Sequence, residues 1–110
     1  MTKSINQLWS QQNAAQLAQA LVAIDTQAAM QNFLRDVMTE KEIIEISARL
    51  EAARMLRAGK KYTEVIETTK LSSRTVARIS DWMQNGAGGY KQVIDRLGEH
   101  HDHISPVRAD

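Results

Sequence analysis

The chain of 110 residues contains no cysteine. Disulfides, thiolate metal sites and cysteine nucleophiles are thereby excluded. Its one proline is Pro106, so nothing before the last few residues interrupts a helix. Aromatic side chains are few, with 2 Trp, 2 Tyr and 1 Phe, and a core has to be assembled from Leu, Ile, Val, Met and Ala. No stretch has the length and apolarity of a membrane span. The opening MTKSINQLWSQQ lacks the apolar run of a secretory signal. The expectation is a cytoplasmic protein with no membrane partner. No nucleophile–base arrangement or metal-ligand spacing is visible, and the glycines at 86, 88 and 89 follow no strand, so they break a helix and do not cradle a phosphate. The expectation is that the protein is not an enzyme.

What the sequence has in abundance is Ala, Gln, Glu, Lys, Arg, Leu and Met, all helix formers. Together with 43% hydrophobic residues they predict an all-α fold. One helical domain over residues 1–98 and a flexible tail over 99–110 are expected. His100, His101, Asp102 and His103 are read as part of that tail, with no metal site.

Net charge is only +1, but its distribution is uneven. Residues 1–53 hold four basic and six acidic side chains, and residues 79–110 hold three and five. Residues 54–78 hold seven basic side chains against two acidic ones. Positive charge gathered on one stretch is the footprint that phosphate contact requires.

That stretch overlaps the most informative pattern in the chain, GKKYTEVIETTKLSSRTVARISDWM over residues 59–83. Val65, Ile66 and Thr69, then Val76, Ile79 and Met83, recur at helical spacing and mark two inward faces. Lys70 and Leu71 make a turn between them. Glycine is common at such a turn because the backbone there adopts positive φ, which Lys70 can do only at some cost. Ser72 is the expected cap of the second helix. The outward face of that helix shows Ser73, Arg74, Ala77 and Arg78, short and basic side chains of the kind a DNA major groove admits. The reading is a helix-turn-helix over about residues 63–84. Lys60, Lys61 and Lys70 are assigned to the phosphate backbone, with Ser72, Ser73, Arg74, Thr75, Ala77 and Arg78 at the groove. The alternative is a helical module whose basic face meets a protein or RNA without sequence-specific DNA binding.

The rest of the chain reads as helices around this unit. A first helix is expected from about Ser4 to Leu21 or Val22. A second follows a cap at Asp25 or Thr26 and buries Met30, Phe33, Leu34 and Val37. A third opens on the capping box Thr39–Glu42, carries Ile43, Ile46, Leu50, Ala53 and Leu56 as the spine of the core, and stops at Gly59. The last runs from about Gly89 or Tyr90 to Leu97 with Tyr90, Val93, Ile94 and Leu97 inward. Glu40, Glu42, Glu45 and Glu51 have no apolar surroundings and are read as a solvated face, not as an acid/base pair.

The segments LRDVMTEKEI, ISARLEAARML, GKKYTEV, SSRTVARIS and NGAGGYKQVIDRL resemble the Trp-repressor superfamily, most nearly its YerC/YecD-type branch. The resemblance covers about two thirds of the chain, and NGAGGY with the apolar helix after it is its most specific part. It implies a six-helix protein that forms an intertwined homodimer and binds double-stranded DNA at a near-palindromic operator, as a transcriptional repressor. It also implies an effector pocket. Thr39, Arg49 and Arg78 match residues that contact L-tryptophan in the founding member, and two guanidinium planes suit a small planar anion. Ile79 stands where that family has a glycine beside the pocket, and Trp82 replaces a small serine. With these departures no cofactor is expected, and Arg49 is read as an ion-pair partner for Glu45.

Overall fold

The computed structural model describes the backbone of residues 5–104 and the side chains of residues 7–98. Among the described residues the chain is all-helical. The helices are α1 (Ile5–Trp9), α2 (Gln12–Ala23), α3 (Gln27–Val37), α4 (Glu40–Arg57), α5 (Tyr62–Thr69), α6 (Ser73–Asn85) and α7 (Gly89–Ile104). There are seven where the resemblance implies six, because the expected first helix is broken at Ser10–Gln11. The Ser10 hydroxyl donates to the Gln7 carbonyl at 2.7 Å, the local competition with the helical ladder that serine offers.

Two compact units make up the chain, Met1–Ile43 and Ile44–Asp110. In the first, α1 packs on α2 and α3 is capped by Thr26, whose hydroxyl accepts from Ala29 N at 3.1 Å. The capping box forms as its spacing demands. Thr39 N donates to Glu42 Oε1 at 2.9 Å, and Glu42 N donates to Thr39 Oγ1 at 3.1 Å. Met30, Phe33 and Leu34 are only half-buried and Val37 is exposed, so the stripe expected to be core is not enclosed. No described residue of this unit is buried. A few dozen residues cannot enclose an apolar centre by themselves.

The second unit holds the core: Ala52 and Ala53 of α4, Val65 of α5, and Val76 and Ile79 of α6, all fully buried. Met55, Leu56, Ile66, Leu71, Met83, Tyr90 and Ile94 pack around them. Of the expected α4 spine, Ala53 is fully buried and Leu56 packs against the core, while the long side chains nearer the start of the helix do not reach it. Ile46 is exposed and Leu50 half-buried, while the centre of contact is a pair of alanines. Small side chains let neighbouring helices approach closely, with Val65, Val76 and Ile79 filling the space between. Helix α4 ends on a Schellman motif. Gly59 has φ 88°, Lys60 N donates to Met55 O and Gly59 N to Leu56 O, both at 3.0 Å.

Gly86 closes α6, and a Cβ there would collide with the Trp82 carbonyl oxygen. Helix α7 then continues past Gly98 to Ile104, so the stretch expected as a tail is helical over its first residues. Residues 105–110, with Pro106, lie outside the described residues, as do the side chains of His100, His101, Asp102 and His103. On α7, Tyr90 and Ile94 face the core, but Val93 and Leu97 are exposed. Among the described residues no helix is long and apolar enough to cross a membrane.

Candidate nucleic-acid interface

Helices α5 and α6 pack on each other through Val65, Ile66, Val76 and Ile79, and the turn between them is built by its own side chains. Lys70 sits at φ 64°, the left-handed conformation that a turn this tight requires. The Thr69 hydroxyl donates to Val65 O at 2.8 Å and accepts from Leu71 N at 3.3 Å. Leu71 tucks against the core. Ser72 caps α6 as expected: its Oγ accepts from Thr75 N at 3.1 Å and donates to Thr75 Oγ1 at 3.0 Å. Lysine in the left-handed region carries a steric penalty that glycine avoids, so Lys70→Gly is expected to raise stability by about 0.5–1 kcal/mol. Urea denaturation checks this, and a loss of stability would mean that the Lys70 side chain contributes more than its backbone costs.

With Val76, Ile79 and Met83 turned inward, the outward face of α6 is Ser73, Arg74, Ala77 and Arg78, all exposed. Thr75 is half-buried and its hydroxyl is engaged with Ser72. Farther along, Asp81 accepts from Asn85 Nδ2 at 2.9 Å, and Trp82 is 42% exposed.

The positive stretch divides into paired and free charges. Arg57 makes a two-pronged contact with Asp95, Nε to Oδ1 at 3.1 Å and Nη2 to Oδ2 at 3.0 Å, tying α4 to α7. Arg54 lies 3.4 Å from Glu51. Lys60 reaches Glu64 only at 4.0 Å with both side chains about half exposed, a contact worth little in water. Among the described residues Lys61, Lys70, Arg74 and Arg78 have no acidic partner. These four lie at the N-terminus of α5, in the turn, and on the outward face of α6. Within residues 54–78 the cations left unneutralised are therefore on the helix-turn-helix; Arg35, Lys41, Lys91 and Arg96 are the other described cations without an ion pair, and they are spread over α3, α4 and α7. The Arg57–Asp95 pair spans 38 residues, and no spacing rule could have found it.

The three candidate effector residues are engaged differently. Thr39 belongs to the first unit and its hydroxyl is used in the capping box. Arg49 Nη2 pairs with Glu45 Oε2 at 2.9 Å, as the sequence predicts, while its Nε is buried with no hydrogen-bond partner. Arg49 lines an open groove of ≈ 300 Å³ with Ile46, Leu50, Gly89, Tyr90 and Val93. Arg78 is not among its walls. Burial pushes the Tyr90 phenol above its ordinary pKa, and Arg49 pulls the other way. Ile79 is fully buried in the core. Among the described residues no cluster of His, Asp and Glu is arranged to hold a metal ion.

The Trp repressor protein family matches residues 12–98. The uncharacterized protein YerC of Bacillus subtilis (strain 168) is 31% identical over 84 residues, covering 76% of this chain and 81% of YerC. The crystal structure of a TrpR-like protein from Eubacterium eligens ATCC 27750 superposes with a TM-score of 0.76 at 34% identity, over 82% of this chain and 93% of that one. A Staphylococcus aureus structure with a provisional Trp repressor assignment gives 0.79 at 25% identity, over 88% and 96%.

Proposed function

The chain belongs to the Trp repressor family, and on that premise we propose that it is a cytoplasmic, homodimeric transcriptional regulator that binds a near-palindromic DNA operator through α6 and represses by occupying it. The family takes its name from a repressor, and the protein is not an enzyme. The observation that carries the reading is the set of free cations Lys61, Lys70, Arg74 and Arg78 on one helix-turn-helix. Paired charges are already neutralised, whereas free ones release counterions from DNA on contact. Repression then needs no chemistry. A dimer seated on two half-sites, roughly one helical turn apart, excludes other proteins from that stretch.

The dimer is supported by what a single chain leaves uncovered. Leu17 and Val22 of α2, Ile46 of α4, and Val93 and Leu97 of α7 are all exposed, and the first unit encloses no described residue. A second copy covering these faces supplies the core that one chain lacks.

Binding is expected without L-tryptophan. Ile79 is packed into the core, Arg49 is held by Glu45, and Thr39 is used in its cap. The test is selection of bound duplexes from a random pool by the purified protein, with and without L-tryptophan. A palindrome recovered in both arms supports the reading. Recovery only with tryptophan overturns the effector-free part. No enrichment in either arm sinks the operator reading in favour of an RNA- or protein-binding module.

On the selected operator, Arg74→Ala is expected to cost about 1–3 kcal/mol of specific binding. Lys61→Ala should weaken all duplexes alike and reduce the log–log salt slope by about one. Titrations at several salt concentrations separate the two. If Arg74→Ala lowers specific and nonspecific binding equally, Arg74 touches only phosphate.

A further inference from the structure

We propose that Arg74 and Ala77 form a two-residue reading head for a guanine and a neighbouring thymine in each half-site. The inference rests on the operator reading above and names the bases the recognition helix selects. Six side chains in the first two turns of α6 and its cap are candidates for base contact. The structure withdraws two of them. Ser72 uses its hydroxyl both to accept from Thr75 N and to donate to Thr75 Oγ1. Thr75 is half-buried and accepts that second bond. Turning Ser72 toward DNA would dismantle the helix cap, and turning Thr75 would break the hydroxyl bond that ties it to Ser72.

Of the remaining four, Arg74 is the second residue of α6, at the end that enters a major groove. It is exposed and has no acidic partner. Its neighbours three and four residues away are Lys70, Leu71, Ala77 and Arg78, none able to neutralise it. A free guanidinium fork matches the paired acceptors O6 and N7 of guanine. Ala77 is also exposed and lies on the same face. It presents a bare methyl group between two arginines. With no long side chain there, the helix can approach until that methyl meets the groove floor, where thymine alone offers a methyl partner. Three residues advance about 4.5 Å along the helix axis, against about 3.4 Å per base step, so neighbouring base pairs are the natural targets.

Ser73 and Arg78 flank this line at the edges of the face and suit the sugar-phosphate walls. Asp81, held by Asn85 Nδ2 at 2.9 Å, puts a negative charge on the same face one turn farther on. That charge confines the contact to the first two turns.

The test uses the full-length protein and the operator recovered by selection. Guanine is replaced by 7-deazaguanine, and thymine by deoxyuridine, at each half-site position in turn. For the unaltered protein one guanine should cost about 5- to 150-fold in affinity, and an adjacent thymine about fourfold, the value of one buried methyl. Arg74→Ala should abolish the first penalty and keep the second. Ala77→Gly should do the reverse. Ala77→Ser, which disturbs the helix less, guards against a folding effect and should also lose the thymine penalty. If an operator is recovered but has no such guanine–thymine step, or if both penalties survive in the variants, the reading head is wrong while DNA binding stands. Recovery of no operator overturns the operator reading and this inference together.

Discussion

Ile79→Ala is expected to destabilise the protein by about 2–5 kcal/mol. Ile79 is completely enclosed and shares its cluster with Val65, Val76, Ala52 and Ala53. Two of those neighbours are already alanines and have no side chain to extend into a cavity. The helices themselves would have to move, and α6 is held at both ends, by the Ser72 cap and by the stop at Gly86. The loss should therefore lie toward the upper part of the range for such truncations. Urea unfolding at fixed protein concentration measures it. The exposed Thr68 makes a suitable comparison, since Thr68→Ala should stay within about 0.5 kcal/mol. A loss below about 1 kcal/mol at position 79 would mean that the core collapses freely, and that Ile79 is not what fixes α6 against α4 and α5.

The second large effect concerns association. Val93 is 48% exposed and lines the apolar groove with Ile46, Leu50 and Tyr90. If a second copy covers this face, Val93→Asp puts a carboxylate into the interface, at a cost of about 3–5 kcal/mol when it is left unpaired, and less to the extent that Arg49, which lines the same groove but already pairs with Glu45, reaches it. That corresponds to a dimer weaker by roughly 10²–10³-fold or more. Sedimentation at micromolar concentration should then report a monomer. Because Val93 is not enclosed within one chain, the helical content of the second unit should be kept, and circular dichroism checks that. Binding to the two-half-site operator should fall with the dimer, since one half-site holds only half of the contacts. An unchanged mass would remove this face of α7 from the interface.

Features that depend on residues within about one helical turn were legible in the sequence. The Thr39–Glu42 box, the stop at Gly59, the Ser72 cap, the Glu45–Arg49 pair and the positive φ of Lys70 all take the form that spacing implies. Each involves groups that the helix itself brings together, so no distant residue has a vote. The inward faces of α5 and α6 were legible for the same reason, since periodicity selects one side of a short helix. The break at Ser10 was also local, but its signal was weak. A lone serine in a helix-forming stretch does not announce whether its hydroxyl will take over a backbone carbonyl.

The sequence by itself determined an all-α chain, the helix boundaries near residues 39, 59 and 72, and a basic helix-turn-helix. Packing between helices settled how completely each inward side chain is enclosed and which charges stay free. Ala53 is buried as its spacing implies, but the residue enclosed beside it is Ala52 and not the larger Ile46, because enclosure is a property of how closely helices approach and not of one residue's hydrophobicity. Arg57 was taken out of the basic patch by Asp95, 38 residues away, while Lys61, Lys70, Arg74 and Arg78 were left without acidic partners. Periodicity names the face a residue occupies, but the neighbour that meets it belongs to another part of the chain, and that pairing exists only once the helices are packed.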